Sequence, residues 1–152
     1  MKVLYVGLGH AYTAAAAVQQ AMQSTSKPNL AIVFCASQMN PQEVYATIRQ
    51  QVGENCAIIG GSTCGEFSSL DHAPQGGSVV VMTLQSSYMS IGVGIGQNMP
   101  ADAAAAGHEA ARSAYANIKT SPTVTSMMTI AMGSKKSSEI AYMKPFVSLV
   151  IT

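Results

Sequence analysis

The stretch "LAIVFCASQMNPQEVYATIRQQVGENCAIIGGSTCGEF", residues 30–67, decides the fold class. Leu30-Ala31-Ile32-Val33-Phe34-Cys35 is apolar at consecutive positions, as expected of an interior strand covered on both faces. Asn40 is a helix-capping residue, and Pro41 suits a first helical position, where its missing amide has no intrahelical partner. Val44, Ile48 and Val52 then fall four apart on one stripe, and Gly53 is a natural stop. Ala57 to Gly60 follows as a second buried strand. A strand, a helix and a strand in this order predict neighbouring parallel strands joined by a right-handed crossover.

Upstream, Val3 to Gly7 reads as a strand ending at Gly7-Leu8-Gly9, and Thr13 precedes an alanine-rich helix through Met22. Downstream the pattern changes. Val79–Leu84 and Met89–Gly96 read as two strands joined by Gln85-Ser86-Ser87-Tyr88, short enough for an antiparallel hairpin. In the second of them Gly92, Gly94 and Gly96 share one face, which suits close packing of a helix or the wall of a ligand site. Pro100–Ile118 is the longest predicted helix, with Ala103, Ala106, Ala110, Ala114 and Ile118 as a small-residue stripe. Thr123–Ala131 and Phe146–Ile151 read as further strands, and Ser138–Met143 as a short helix. The expected architecture is a single α/β domain over residues 1–152: a mixed sheet with a strand-helix-strand unit, an antiparallel hairpin and helices packed on the sheet. No internal repeat is legible.

Composition narrows the function classes. Of the 152 residues 48% are apolar and 10% charged, which favours a buried core over disorder and suggests surface covered by a second subunit or a partner. The formal net charge is +1 and no basic run exceeds Lys135-Lys136, so clustered cations for nucleic acid are missing. No apolar run approaches the roughly 18 residues of a membrane span. Cys35, Cys56 and Cys64 show neither a disulfide framework nor CxxC metal spacing, which suits a reduced cytoplasm. No metal or cofactor is expected.

Three chemistries compete for Gly60-Gly61-Ser62-Thr63-Cys64-Gly65-Glu66. Gly60 and Gly65 have the spacing of a phosphate loop, but Glu66 stands where that motif requires lysine and would repel a terminal phosphate. Gly7 and Gly9 begin a dinucleotide fingerprint that fails at Tyr12. Cys64 as a nucleophile needs a partner to stabilise its thiolate, and His10, His72 and His108 are all remote in sequence. The third reading is a cradle: amides around glycine, with Ser62 and Thr63, for a carboxylate, and Glu66 for an ammonium. His108, Glu109 and Arg112 share a helical face that reads as solvated.

The loop, the strand pair after it and "MPADAAAAGHEAARSAYANI" together resemble the N-terminal FIST domain, over about residues 5–132. That family's loop has the form G-C-[ST]-T-A-G-E-[IF]. Gly60, Ser62, Thr63, Gly65 and Glu66 match it, Gly61 stands where Cys is usual and Cys64 where Ala is usual. The resemblance implies a shortened relative without the companion C-terminal FIST domain. It also implies a non-enzymatic sensory domain in signal transduction, binding small molecules with amino acids favoured. Its site would be Gly60, Gly61, Ser62, Thr63, Cys64, Gly65 and Glu66. The alternatives are an interaction module without a working pocket, and a thiol-dependent enzyme using Cys64. The apolar tail Pro145–Thr152 is expected to form an edge strand or to pair with a second copy as a homodimer.

Overall fold

Two glycine-bearing strands, each lying under an alanine-rich helix, organise the chain. The structure is a computed structural model that describes residues 4–66, 68–70, 77–97 and 101–118, together with the backbone of 126–131 and 146–151. The chain divides into two compact units, residues 1–88 and 89–152.

In the first unit, β1 (Tyr5–Ala11), β2 (Leu30–Ala36), β3 (Ala57–Thr63) and β4 (Val79–Gln85) form one mixed sheet in the order β1-β4-β2-β3. β2 and β3 are parallel, with Leu30 opposite Ala57 and Ala36 opposite Thr63. β4 lies antiparallel between β1 and β2. Helix α1 (Ala14–Met22) packs on β1 and β4, and α2 (Pro41–Val52) packs on β2, β3 and α1. The caps follow the sequence reading: Thr13 accepts the Ala16 amide, Asn40 accepts the Gln42 amide, and Gly53 ends α2 at φ 82°. The buried stripe of α2 is Val44, Ile48 and Val52. These side chains meet Ala17, Val18, Ala21, Val33, Cys35, Val79 and Val81 in one core. Burying a Val or Ile side chain contributes about 1.5–3 kcal/mol each, and Leu30, Ile32 and Ile59 are buried outside this cluster.

The second unit holds β5 (Ile91–Gly96), α3 (Ala103–Ala116), β6 (Ser126–Ala131) and β7 (Phe146–Ile151). Its sheet runs β5-β7-β6, with β7 antiparallel to both neighbours, and α3 packs on β5 and β7.

The mixed sheet, the strand-helix-strand unit and the packed helices are as predicted, but the pairing of β4 and β5 is not. These strands are antiparallel to other partners, β4 to β1 and β2 and β5 to β7, and the expected hairpin does not form. The physical reason is that β4 has two long apolar neighbours available within its own unit. The tail strand is also corrected: β7 occupies the centre of its sheet and is no edge. β1 runs through Gly7 and Gly9 to Ala11 instead of ending there. Pro100, residues 123–125 and the predicted helix Ser138–Met143 lie outside the described residues.

The glycines explain how strand and helix come so close. A β-carbon at Gly7 or Gly9 would lie 1.9 Å from Ala21 O or 1.8 Å from Ala17 O. At Gly92, Gly94 and Gly96 it would lie 2.0, 2.1 and 1.8 Å from the carbonyls of Ala114, Ala110 and Ala106. The glycine face of β5 is therefore a helix seat, and the ligand-wall alternative is set aside.

The two units repeat one arrangement that the sequence conceals. Each is a glycine-bearing strand, an alanine helix and a parallel strand, with a later antiparallel strand inserted between the two. The correspondence extends to side chains. Gln20 Oε1 accepts the His10 amide at 2.9 Å, and Glu109 Oε2 accepts the Gln97 amide at 3.0 Å. Thr13 caps α1 through Ala16 N and Asp102 caps α3 through Ala105 N.

Candidate functional site

The ends of β1, β2 and β3 and the start of β4 meet along one edge of the first sheet. The register sets Ala11 and Cys35 opposite Val79, and Ala36 opposite Thr63. Backbone bonds from Ala36 N to Ser78 O and from Ser37 N to Thr63 O, both 3.0 Å, close this edge. Ligands of open α/β sheets commonly bind outside such carboxyl ends.

The predicted seven-residue loop is part strand and part turn. Gly60 to Thr63 complete β3 against β2. Gly60 has φ 152°, and a β-carbon there would stand 1.7 Å from Val33 O, so this glycine serves strand packing. Only from Cys64 onward does the chain leave the strand. Ser62, Cys64 and Gly65 are exposed, Gly61 and Thr63 are half-buried, and nothing lies within 4 Å of a β-carbon built on Gly65. Gly61 and Ser62 thus sit on the strand, and the open part of the site is Cys64-Gly65.

Glu66 turns inward and is 7% exposed. Its Oε1 accepts the Thr63 hydroxyl, and its Oε2 accepts the Ser78 hydroxyl at 3.2 Å. The carboxylate that sequence reading offered to a ligand ammonium therefore ties the turn back to its own strand and to β4. The nearby Cys35 thiol is pushed up by burial and further by the Glu66 carboxylate, so it stays protonated.

His10 joins the set from β1. Alternation along the strand puts Gly7 and Gly9 under α1 and His10 on the opposite face. Its Nε2 lies 2.9 Å from Ser78 Oγ and its Nδ1 3.0 Å from Ser68 Oγ. Since Ser78 donates its single proton to Glu66, it accepts from Nε2–H, while Nδ1 and Ser68 Oγ share the second hydrogen bond. A hydrogen-bonded chain links Ser68, His10, Ser78 and Glu66, with Thr63 donating to Glu66 at the far end. Beside it is a cleft of about 360 Å³ lined by His10, Tyr12, Thr13, Ala16, Gln20 and Ser78.

Sequence reasoning missed His10, Ser68, Ser78 and Gln20. The available signal was the Gly-x-Gly-His run, which marks a strand that a helix overlies on one face only. The Cys64 thiol is exposed, Cys35 and Cys56 are buried, and all three are free. Burial pushes the Cys56 thiol up to about 11 although Arg49 pulls the other way. Among the described residues no group of three or more His, Cys, Asp or Glu side chains is arranged to hold a metal ion. No helix among them is long and apolar enough to cross a membrane.

No curated protein matches the chain. The family model described as the FIST N domain matches residues 29–146, a span that takes in β2 through β6 and the whole Gly60–Glu66 segment. That family points to a sensory role in signal transduction. Fold, segment and match agree, and the chain belongs to the FIST N domain family.

Proposed function

We propose that this chain is a non-enzymatic sensory domain that binds a small molecule, an amino acid or small carboxylate, at the strand-end edge of its first unit. One observation carries the reading. Buried Glu66, held by Thr63 and Ser78, fixes the glycine turn at the same sheet edge as the His10 cleft. A turn fixed in this way presents its amides and hydroxyls without an ordering cost on binding. The ligand contacts in this reading are the Gly61–Gly65 backbone and the Ser62 hydroxyl, with Glu66 as the anchor behind them. We further propose a cytoplasmic setting, from three free thiols, and a homodimer, from the 10% charged composition.

A thermal-shift screen of amino acids and small carboxylates tests the binding. A true ligand raises the melting temperature by preferential binding to the native state, by an amount that grows with its concentration. A flat response across the panel removes the sensory reading and favours an interaction module.

A further inference from the structure

We infer that the second unit carries a site of its own for a small zwitterion, in the cleft beside α3, with Arg112 receiving the anionic group and Glu109 the cationic one. This goes beyond the first-unit reading and does not depend on it. The cleft is a repeated feature of the fold. In the first unit His10, Thr13, Ala16 and Gln20 border a cleft of about 360 Å³. In the second, Gln97, Asp102, Ala105 and Glu109 border one of about 760 Å³. These positions correspond one by one. Thr13 and Asp102 cap their helices, and Ala16 and Ala105 donate the capped amides. Gln20 and Glu109 are each the seventh residue of their helix, and each accepts the strand-end amide, of His10 or of Gln97. The same junction of glycine strand and alanine helix therefore builds the cleft twice.

What differs is charge. The four positions of the first unit hold no carboxylate or guanidinium, whereas those of the second hold two carboxylates. α3 also has 14 residues against 9 in α1, and the extra length brings Arg112 to the cleft. Asp102 Oδ1 is engaged at the helix start by the Ala105 amide at 2.9 Å. Glu109 Oε2 accepts the Gln97 amide at 3.0 Å, which fixes that carboxylate at the cleft and leaves Oε1 to accept from a ligand. Arg112 follows three residues later, a neighbour on the helix surface, and among the described residues it has neither a hydrogen bond nor an ion pair. An anion alone would meet the Asp102 and Glu109 carboxylates here, and a cation alone the Arg112 guanidinium. A molecule carrying both charges satisfies both side chains at once, its carboxylate on the guanidinium fork and its ammonium on Glu109.

The experiment uses the intact chain and glycine, the smallest probe with both charges, against sodium acetate and methylammonium chloride at equal ionic strength. Amide-shift NMR titrations are expected to move signals along residues 101–113. Glycine is expected to bind about tenfold tighter than either half, the worth of one added charge-assisted hydrogen bond. Arg112→Gln should lower glycine affinity about tenfold. Glu109→Gln should do the same without loss of the fold, since Gln20 shows that an amide oxygen also serves the strand-end bond. Glycine affinity equal to that of acetate or methylammonium overturns the inference, as does an affinity that neither substitution changes. Shifts confined to residues 60–66 also overturn it and leave the first-unit reading standing. Shifts confined to 101–113 support it and count against the first-unit site.

Discussion

Gly9 lies so close beneath α1 that a β-carbon on it would stand 1.8 Å from the carbonyl oxygen of Ala17. The clash is with backbone, so no rotamer relieves it. Gly9→Ala is expected to destabilise the chain by about 3 kcal/mol or more, at the upper end of overpacking costs. Gly65→Ala, with open space around the new methyl, is expected to change stability by less than about 0.5 kcal/mol. Urea unfolding of the two variants checks both, and equal losses would refute the packing account.

Glu66 anchors the turn, so Glu66→Ala should act on stability before it acts on binding. It removes the carboxylate acceptor of the Thr63 and Ser78 hydroxyls, leaving them Gly65 O and the His10 ring, at a cost of about 1–3 kcal/mol. Glu66→Gln keeps one acceptor and should lose less. Denaturant midpoints measured without ligand separate this from any effect on recognition.

The thiols differ in exposure. Cys64 is exposed while Cys56 and Cys35 are buried with raised pKa values. Iodoacetamide at pH 8 is therefore expected to label Cys64 first in the folded chain, by access alone, and all three equally in denaturant. Rapid labelling of Cys64 is thus no sign of catalysis. The linkage has a definite sign. A thiol that ionises at 9.0 when unfolded and at about 11 in the fold adds stability below pH 9, which is lost as pH rises toward 11. Cys56→Ser should flatten that alkaline decline.

Arg49 closes the end of α2. Its Nη1 donates to Gly53 O at 2.7 Å and Cys56 O at 2.6 Å, and its guanidinium lies 5.5 Å from the Tyr45 ring centre. Arg49→Ala is expected to cost about 1–2 kcal/mol through lost charge-assisted bonds to carbonyls. Arg49→Lys should recover only part, because an ammonium lacks the planar fork. Thermal melts of the three proteins give the order.

Ending the chain at Lys144 removes β7, the central strand between β5 and β6. The expected result is loss of strand signal in circular dichroism and of protease resistance across residues 89–144, a larger effect than a simple change of mass. Sedimentation of the intact chain tests the proposed homodimer separately, with a monodisperse monomer as the outcome that rejects it.

The sequence by itself determined the local elements and the class. Consecutive apolar residues at 30–35, the Asn40–Pro41 cap, the Val44-Ile48-Val52 stripe and the Gly53 stop act through neighbours within one helical turn or one strand, and each stands where expected. The glycine face of β5 and the alanine face of α3 were legible for the same reason. Only the tertiary structure decided which strands pair. β4 and β5 have similar lengths and apolar character, and nothing local says that each will choose another partner. It also decided the site. Glu66 and Ser78 are 12 residues apart and His10 and Ser78 are 68 apart. Hydrogen bonds at such separations exist only once the register of β1, β4, β2 and β3 has brought four strand ends to one edge.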